Sequence, residues 1–362
     1  MKKEKKFLNL LKRYLVYKSK SMSKANYGAW EVNIDDFKKI SDEEGKISFL
    51  INFAVLAPSS HNSQPWSFAT GKDYVKIYKE ETRRLPIGDA NDRQLFISLG
   101  CAIENIITSA DYFGYVTRVD YNCGNNCVAI IHFTPKIAST KSDHLIFSIP
   151  KRLVNRSKYQ EKQVDQQFLD FIKNQEDQNL KISVITDKGL INKLADVALS
   201  ATAESMANPT FRKELSHYVI SNTSNKKFGM PGFGIGFPTP ISYLAPLMLG
   251  MFNMSKMSKK QDEPLLKKFT PYVVVISTKE DEQGDWIAVG RAFQKISLTA
   301  TSRGISFAVW AAPIQIGEHY KDLQKILSIN FRPQMFFRMG YATQDMGGHS
   351  PRFTADEVIR HE

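Results

Sequence analysis

Apolar residues recur at helical spacing in the first part of the chain. They predict one helix over residues 49–56, which ends because Pro58 cannot donate to the helical hydrogen-bond ladder. A longer helix is predicted over residues 95–113, and Gly114 follows it with the conformational freedom common at helix ends. Alternating apolar and polar residues predict a strand over 74–78 and a hairpin of 115–121 with 127–133 across a turn at Gly124.

The rest of the chain shows the same mixture of patterns. Predicted helices over 164–173, 189–206 and 289–300 are interspersed with predicted strands over 182–186, 305–310 and 335–341. Residues 273–276 read Val-Val-Val-Ile, a continuous apolar run that is typical of a strand buried on both faces. The pattern predicts an α+β fold, in which helices pack on mixed or antiparallel sheets.

Two of the predicted long helices echo each other. Each has an aspartate near its start and closes with an alanine and a glycine four positions apart. These positions are Asp92, Ala110 and Gly114 in the first helix and Asp285, Ala300 and Gly304 in the second. The echo predicts two related lobes, 30–145 and 146–362, which follow a basic N-terminal arm of residues 1–29.

Residues 207–265 interrupt the second lobe with a different composition. Four glycines and three prolines fall between residues 229 and 240, and a methionine-rich apolar stretch follows over 244–254. Such an insertion is typical of a lid over a pocket, although an arm that packs on the domain is an equal alternative.

The net charge of +12 favours anionic partners, namely phosphate-bearing cofactors, membrane surfaces or nucleic acid, or else reflects a lysine-rich surface. No basic run is interleaved with aromatic residues, so no nucleic-acid groove is predicted.

The first 25 residues form a basic amphipathic pattern that is too short and too charged to span a bilayer. This arm could lie on an anionic membrane, or pack on its own domain or a partner subunit. It is a poor secretion signal, and the expected location is the cytoplasm.

The cysteines are few. An odd total of three, Cys101, Cys123 and Cys127, argues against a disulfide framework and fits a reducing compartment. Cys123 and Cys127 flank the predicted hairpin turn and are interpreted as ordinary thiols. A metal site would need further soft ligands nearby, and none is predicted.

The most specific string in the chain is Ala-Pro-Ser-Ser-His-Asn-Ser-Gln-Pro-Trp, residues 57–66. It follows a predicted helix and is dense in hydroxyl, amide and backbone donors, so it can present hydrogen bonds to a flat polar heterocycle. By composition alone an ordinary polar loop is also open.

Three further strings carry candidate chemistry. Residues 151–159 are rich in Lys and Arg, whose guanidinium forks match phosphate oxygens, although a solvated basic linker is the alternative. Residues 312–316, Ala-Pro-Ile-Gln-Ile, form a turn after a strand, and Ser350, Pro351 and Arg352 stand near the chain end. Alone, each of these strings could be an ordinary loop.

Together the four strings resemble the nitroreductase-like superfamily of FMN proteins, and in particular its fused mycobacterial Acg-type branch. The resemblance implies that the first string contacts FMN or its ribityl chain, with His61 as a candidate proton donor. The implied contacts in that loop are Pro58, Ser59, Ser60 and Asn62.

The resemblance also implies roles for the other strings. Arg152 would bind the FMN phosphate or ribityl chain, Arg156 would lie near the ring N1/O2 edge, and Asn155 belongs to the same element. A turn formed by Pro313, Ile314, Gln315 and Ile316 would place a backbone N–H against the flavin N5. Arg352 would provide the closing phosphate contact.

The order of the strings implies a tandem nitroreductase-like fold, a fused pseudo-dimer with one complete site. The implied function is NAD(P)H-dependent reduction of nitro or quinone acceptors through FMN, with NADH or NADPH as reductant. The alternative is an FMN storage protein with little turnover. A third reading, a basic protein that binds membrane or nucleic acid without a cofactor, is disfavoured by the four ordered strings. The chain could act as a monomeric pseudo-dimer or as a homodimer.

Overall fold

The computed structural model describes residues 26–124, 126–137, 145–346 and 348–360. The first 25 residues, which make up most of the predicted basic arm, lie outside the described part of the chain.

The first half builds one four-stranded antiparallel sheet. Its strands lie in the order β1-β2-β4-β3, and the long helix α3 connects β2 to β3. The elements are α1 (Glu43–Phe49), α2 (Ile51–Ala54), β1 (Trp66–Thr70), β2 (Tyr74–Lys79), α3 (Arg93–Tyr112), β3 (Tyr115–Gly124) and β4 (Cys127–Pro135).

The second half begins with an outer helix and a strand, and it contains the insertion. The elements up to the end of the insertion are α4 (Gln166–Lys173), β5 (Leu180–Ile185), α5 (Lys188–Ala207), α6 (Pro209–Tyr218), β6 (Val219–Ile220), β7 (Met230–Pro231), α7 (Thr239–Ser242), α8 (Ala245–Met251) and α9 (Ser255–Lys267). Those that follow are β8 (Tyr272–Thr278), α10 (Gln283–Ser302), β9 (Ser306–Val309), α11 (Ala312–Gln315), α12 (His319–Leu327) and β10 (Arg332–Gly340).

The second sheet repeats the topology of the first. Its strands lie in the order β5-β8-β10-β9 and are antiparallel throughout. Counted along each half, both sheets therefore have the order first, second, fourth, third, with a long helix between the second and third strands. The α+β prediction is confirmed, and β8 is an internal strand that is buried at every residue, as its apolar run predicts.

The two long helices α3 and α10 cross in direct backbone contact. A Cβ atom added at Gly100 would lie 2.2 Å from the Ile287 carbonyl oxygen, and one added at Gly290 would lie 2.0 Å from the Ile97 oxygen. The contact is reciprocal, because each glycine meets the residue three positions before the other. An approximate twofold axis therefore passes through this crossing.

The structure changes which residues at the starts of the two long helices are equivalent. Asp92 and Glu282 occupy equivalent N-cap positions of the two helices, whereas Asp285 lies one turn inside α10 and completes a capping box with Glu282. The closing pair of each helix was predicted correctly, since Gly114 and Gly304 both follow the helices with positive φ.

The cysteine prediction is wrong. Cys123 and Cys127 form a disulfide across the end of the β3–β4 hairpin, with Cα atoms 5.2 Å apart. Antiparallel pairing brings the two residues to a separation that a disulfide can bridge. Cys101 is the unpaired cysteine, and it is buried.

The C-terminal segment of the second half pairs with the first sheet. The Phe68 N–H donates to the Val358 oxygen at 2.8 Å, and the Arg360 N–H donates to the Phe68 oxygen at 2.6 Å. The halves are thus joined by the helix crossing and by this exchanged segment.

No helix in the described ranges is long and apolar enough to cross a membrane.

Candidate functional site

A cavity of about 380 Å³ lies where the two halves and the insertion meet. The volume is within the range of small-molecule and cofactor sites. The predicted site residues that line it come from both halves. They are Pro58, Ser59, Ser60, His61, Asn62, Arg152, Arg156, Gln315, Ile316 and Arg352.

The loop that follows α2 has an unusual backbone. His61, Asn62 and Gln64 have φ values of 52°, 57° and 54°, in the left-handed region that side chains other than glycine rarely adopt. Such a backbone persists only where its surroundings hold it, and it is commonly found at functional sites.

Side-chain amides hold this loop from two directions. The Asn62 amide donates to the Gly229 oxygen in the insertion at 3.0 Å and to the Pro351 oxygen at 2.9 Å. The Gln64 amide donates to the Lys227 oxygen at 2.7 Å and accepts from the Phe353 N–H at 3.0 Å. These contacts clamp the loop between the insertion and the C-terminal segment. Gln64 therefore holds the loop in shape, and the amide of Asn62 is likewise committed to protein contacts.

Two buried arginines meet at one end of the cavity. Arg152 and Arg352 are 3% and 4% exposed, and within the described ranges neither forms a salt bridge. Arg152 donates to the Leu56 oxygen at 3.0 Å, and Arg352 donates to the Ala57 oxygen at 3.2 Å and to Asn62 Oδ1. In the part of the chain that the structure describes, the Nε atoms of both arginines have no hydrogen-bond partner.

The electrostatics of these arginines are those of an anion site. Burial lowers the pKa of Arg152 to about 10. Burial, and then the charge of Arg152, hold the pKa of Arg352 well below its ordinary value. Two desolvated cations side by side are costly without a counter-charge, and a bound anion would supply one.

His349 and Trp30 complete this end of the cavity. Their rings stack with centroids 3.9 Å apart, and the Arg352 guanidinium carbon lies 4.9 Å from the centre of the Trp30 ring. Burial, and then the charges of Arg152 and Arg352, lower the pKa of His349 to about 4. His349 Nδ1 is buried and has no hydrogen-bond partner within the described ranges. An anion here would meet two arginines and an imidazole.

Arg156 connects the other end of the cavity to the insertion. It donates to the Gly234 oxygen at 3.4 Å. Burial lowers its pKa, and the charge of Asp262 on α9 opposes that shift. Burial raises the pKa of Asp262, which accepts a hydrogen bond from Trp310. The insertion thus brings a carboxylate to the arginine that the resemblance places at the flavin ring.

The turn at residues 312–316 differs from expectation. It forms the single helical turn α11, in which the Ile314 and Gln315 N–H groups donate to the Ala311 oxygen and the Ile316 N–H donates to the Ala312 oxygen. Pro313 has no N–H. The backbone donor predicted at this turn is therefore already engaged within it, and the Gln315 side chain donates to Asp89 at 3.2 Å.

Three predicted site residues do not line the cavity. Pro313 and Ile314 are buried in α11. Asn155 donates to the Gln344 oxygen at 2.8 Å and accepts from the Ser157 N–H at 2.9 Å, so it shapes the segment between the two arginines.

Sequence reasoning missed several lining residues: Trp30, Cys101, Asp262, Trp310 and His349. No local signal marks them, because they come from segments far apart in the chain. His349 is the exception, since it directly precedes the Ser-Pro-Arg string.

Acid should destabilise the protein through His61. Burial, and then the charge of Arg156, lower the pKa of His61 to about 4, below the ordinary value of about 6.5. The unfolded chain takes up this proton first, so the free energy of unfolding should fall by about 2–3 kcal/mol as the pH drops from about 6.5 to about 4. Denaturant titrations across this range measure the slope.

The matched variants are His61→Gln and His217→Gln, the second at an exposed histidine. We expect the pH slope to shrink in His61→Gln and to persist in His217→Gln. Equal slopes in the wild type and His61→Gln would contradict the assignment.

Comparison with known proteins adds to this geometry. No family model matches the chain. Over 316 residues the chain is 20% identical to a protein of Mycobacterium tuberculosis provisionally named an NAD(P)H nitroreductase, covering 86% of this chain and 90% of that protein. An uncharacterised protein of the same organism is 22% identical over 332 residues, covering 85% of this chain and 90% of that protein.

Two solved structures are also similar in part. An FMN-dependent nitroreductase from Mycobacterium smegmatis, solved with NADPH, aligns with a TM-score of 0.41 and 16% identity over 59% of this chain and 96% of its own. An FMN- and NADPH-dependent nitroreductase from a Sphingopyxis strain aligns with a TM-score of 0.38 and 15% identity over 60% of this chain and 98% of its own.

Proposed function

Because the chain is nitroreductase-like in sequence, we propose that its cavity binds FMN and that the protein is an NAD(P)H-dependent oxidoreductase. NADH or NADPH would be the reductant, and a nitro or quinone compound the acceptor. The observation that carries the proposal is the pair of buried arginines, Arg152 and Arg352, at one end of a cofactor-sized cavity, whose Nε atoms lack partners among the residues that the structure describes.

The residues present fit FMN. Arg152, Arg352 and His349 would hold the phosphate, because neither arginine forms a salt bridge with a described residue, and the arginine Nε atoms and His349 Nδ1 lack hydrogen-bond partners among the described residues. Arg156 would lie toward the ring edge where negative charge develops on reduction. The loop residues Pro58 and Ser59 would border the cofactor from the other half of the chain.

FMN, when bound, supplies the hydride chemistry, and the protein supplies position, charge and exclusion of water. The insertion covers the cavity through Met230, Phe233 and Gly234, which line it. His61 is neutral at pH 7, because its pKa lies at about 4, so it carries no imidazolium proton to donate. We therefore assign it no acid role, and solvent would deliver the proton to the acceptor.

The same proposal assigns the parts of the chain. Residues 30–145 and 146–362 are the two lobes, residues 207–265 are a lid, and the chain is a fused pseudo-dimer of the Acg-type branch with one complete site. The matching strand order of the two sheets and the reciprocal contact of Gly100 with Gly290 support this division.

The test is the visible spectrum of the purified protein after addition of FMN, before and after anaerobic NADPH or NADH. We expect a single FMN per chain and loss of the oxidised flavin band within seconds. Flavin that binds but is not reduced would replace the oxidoreductase proposal with FMN storage. Failure to bind FMN would refute both.

A further inference from the structure

The insertion presents an apolar helix face to solvent. Leu244, Leu247, Met248 and Met251 follow the spacing i, i+3, i+4, i+7 and are 58%, 61%, 38% and 64% exposed. The opposite face of α8 is buried, where Leu249 packs in a cluster with Leu215 of α6. A helix that is apolar on both faces is normally buried or in contact with lipid.

Neighbouring residues enlarge this face. Ile241, Tyr243, Phe252 and Met257 are each between 45% and 57% exposed. Monomeric proteins rarely expose a contiguous apolar surface of this kind without a binding role. We call these eight side chains the apolar face of the insertion.

The charged residues that directly follow the apolar face in the sequence are basic. Residues 228–255 contain no charged side chain, and the exposed Lys256, Lys259 and Lys260 come next on α9, ahead of Asp262 and Glu263. Lys226 and Lys227 precede the stretch, and Lys227 pairs with Glu357.

We propose that the apolar face of the insertion docks on an anionic lipid surface. Met, Leu, Phe and Tyr side chains would enter the headgroup region while Lys256, Lys259 and Lys260 meet lipid phosphates, which is how interfacial helices bind membranes. A second copy is a poorer occupant. A twofold contact would place the same surface on both sides, so the lysines of the two copies would face each other.

The docking surface and the cavity are formed by different parts of the insertion. The insertion lines the cavity through Met230, Phe233 and Asp262, whereas no residue of α8 lines it. Bound lipid would therefore contact the same insertion that covers the cavity. The docking proposal does not depend on FMN, and its test can be made without cofactor.

A single probe on α8 tests the proposal in the full chain. Cys101 is buried and Cys123 is bonded to Cys127, so Leu247→Cys adds a thiol that can be labelled selectively with a polarity-sensitive fluorophore. Val116→Cys on β3, where the native valine is 56% exposed, is the matched control. We expect a blue shift of the label at 247 with phosphatidylglycerol-containing vesicles, little shift with phosphatidylcholine vesicles, and no shift of the label at 116.

Vesicle flotation provides the second measurement. The double variant Leu247→Ser/Met251→Ser should reduce the floated fraction by about threefold or more, whereas Val116→Ser should not, since only the former removes interfacial side chains. A chain that floats while its label at 247 stays unshifted would overturn the proposal, because residues 1–25 or another surface would then carry the binding. A shift that depends on protein concentration without vesicles would also overturn it, in favour of a second copy.

Discussion

The Arg352→Gln variant is expected to bind FMN about 10- to 100-fold more weakly, which corresponds to a charge-assisted hydrogen bond of about 1.5–3 kcal/mol. Arg352 is 4% exposed, and its Nε has no hydrogen-bond partner among the described residues. A phosphate would compensate both Arg352 and Arg152, whereas the glutamine amide can satisfy a carbonyl such as Ala57 but supplies no charge. Titration of FMN fluorescence measures the dissociation constant.

Riboflavin provides the matched ligand, since it has the ring and ribityl chain but lacks the phosphate. Its affinity should change little in Arg352→Gln. The control variant is Arg118→Gln, at an exposed arginine that pairs with Asp120, and it should bind FMN as the wild type does. Equal losses for FMN and riboflavin would show that the substitution distorts the cavity. No loss for FMN would show that its phosphate is bound elsewhere.

Gly290→Ala should be among the most destabilising single substitutions in the chain. The added methyl would lie 2.0 Å from the Ile97 oxygen and 3.0 Å from Gly100 Cα, which are backbone atoms that cannot rotate away. The helices α3 and α10 would have to separate, so we expect the free energy of unfolding to fall by about 3 kcal/mol or more. Chemical denaturation monitored by circular dichroism measures this loss.

Gly284→Ala is the control, because it lies in the same helix with no atom within 4 Å of the added methyl. It should be neutral or stabilise by up to about 1 kcal/mol, since alanine favours the helix. Gly100→Ala should resemble Gly290→Ala, and the double variant should lose less than the sum because both relieve the same contact. A Gly290→Ala variant as stable as Gly284→Ala would contradict the close crossing.

Local patterns predicted the secondary structure well. Periodic apolar residues and the glycines Gly114 and Gly304 defined the two long helices, and the valine run identified a buried internal strand. These features depend on short-range chemistry. The sequence pattern matched Asp92 to Asp285 instead of Glu282, because several acidic residues lie near the start of α10. Only the capping geometry of the helix distinguishes Glu282 from Asp285.

The site was predictable only where a short string carried it. The loop at 58–62 and the arginines Arg152, Arg156 and Arg352 all line the cavity. The stacking of Trp30 on His349 joins residues at opposite ends of the chain, and the approach of Asp262 depends on how the insertion folds back. The disulfide was missed because the number of cysteines says nothing about the distance between two of them.

The presence of both halves on one polypeptide has an evolutionary consequence. In a dimer of identical subunits every mutation occurs twice, so an insertion that covers one site must also be tolerated at its symmetric mate. Here the insertion lies in the second half, between α5 and β8, whereas the corresponding strands of the first half, β1 and β2, are joined directly by residues 71–73. In a chain that carries both halves, a mutation in one half does not change the other, so each half can diverge under its own selection.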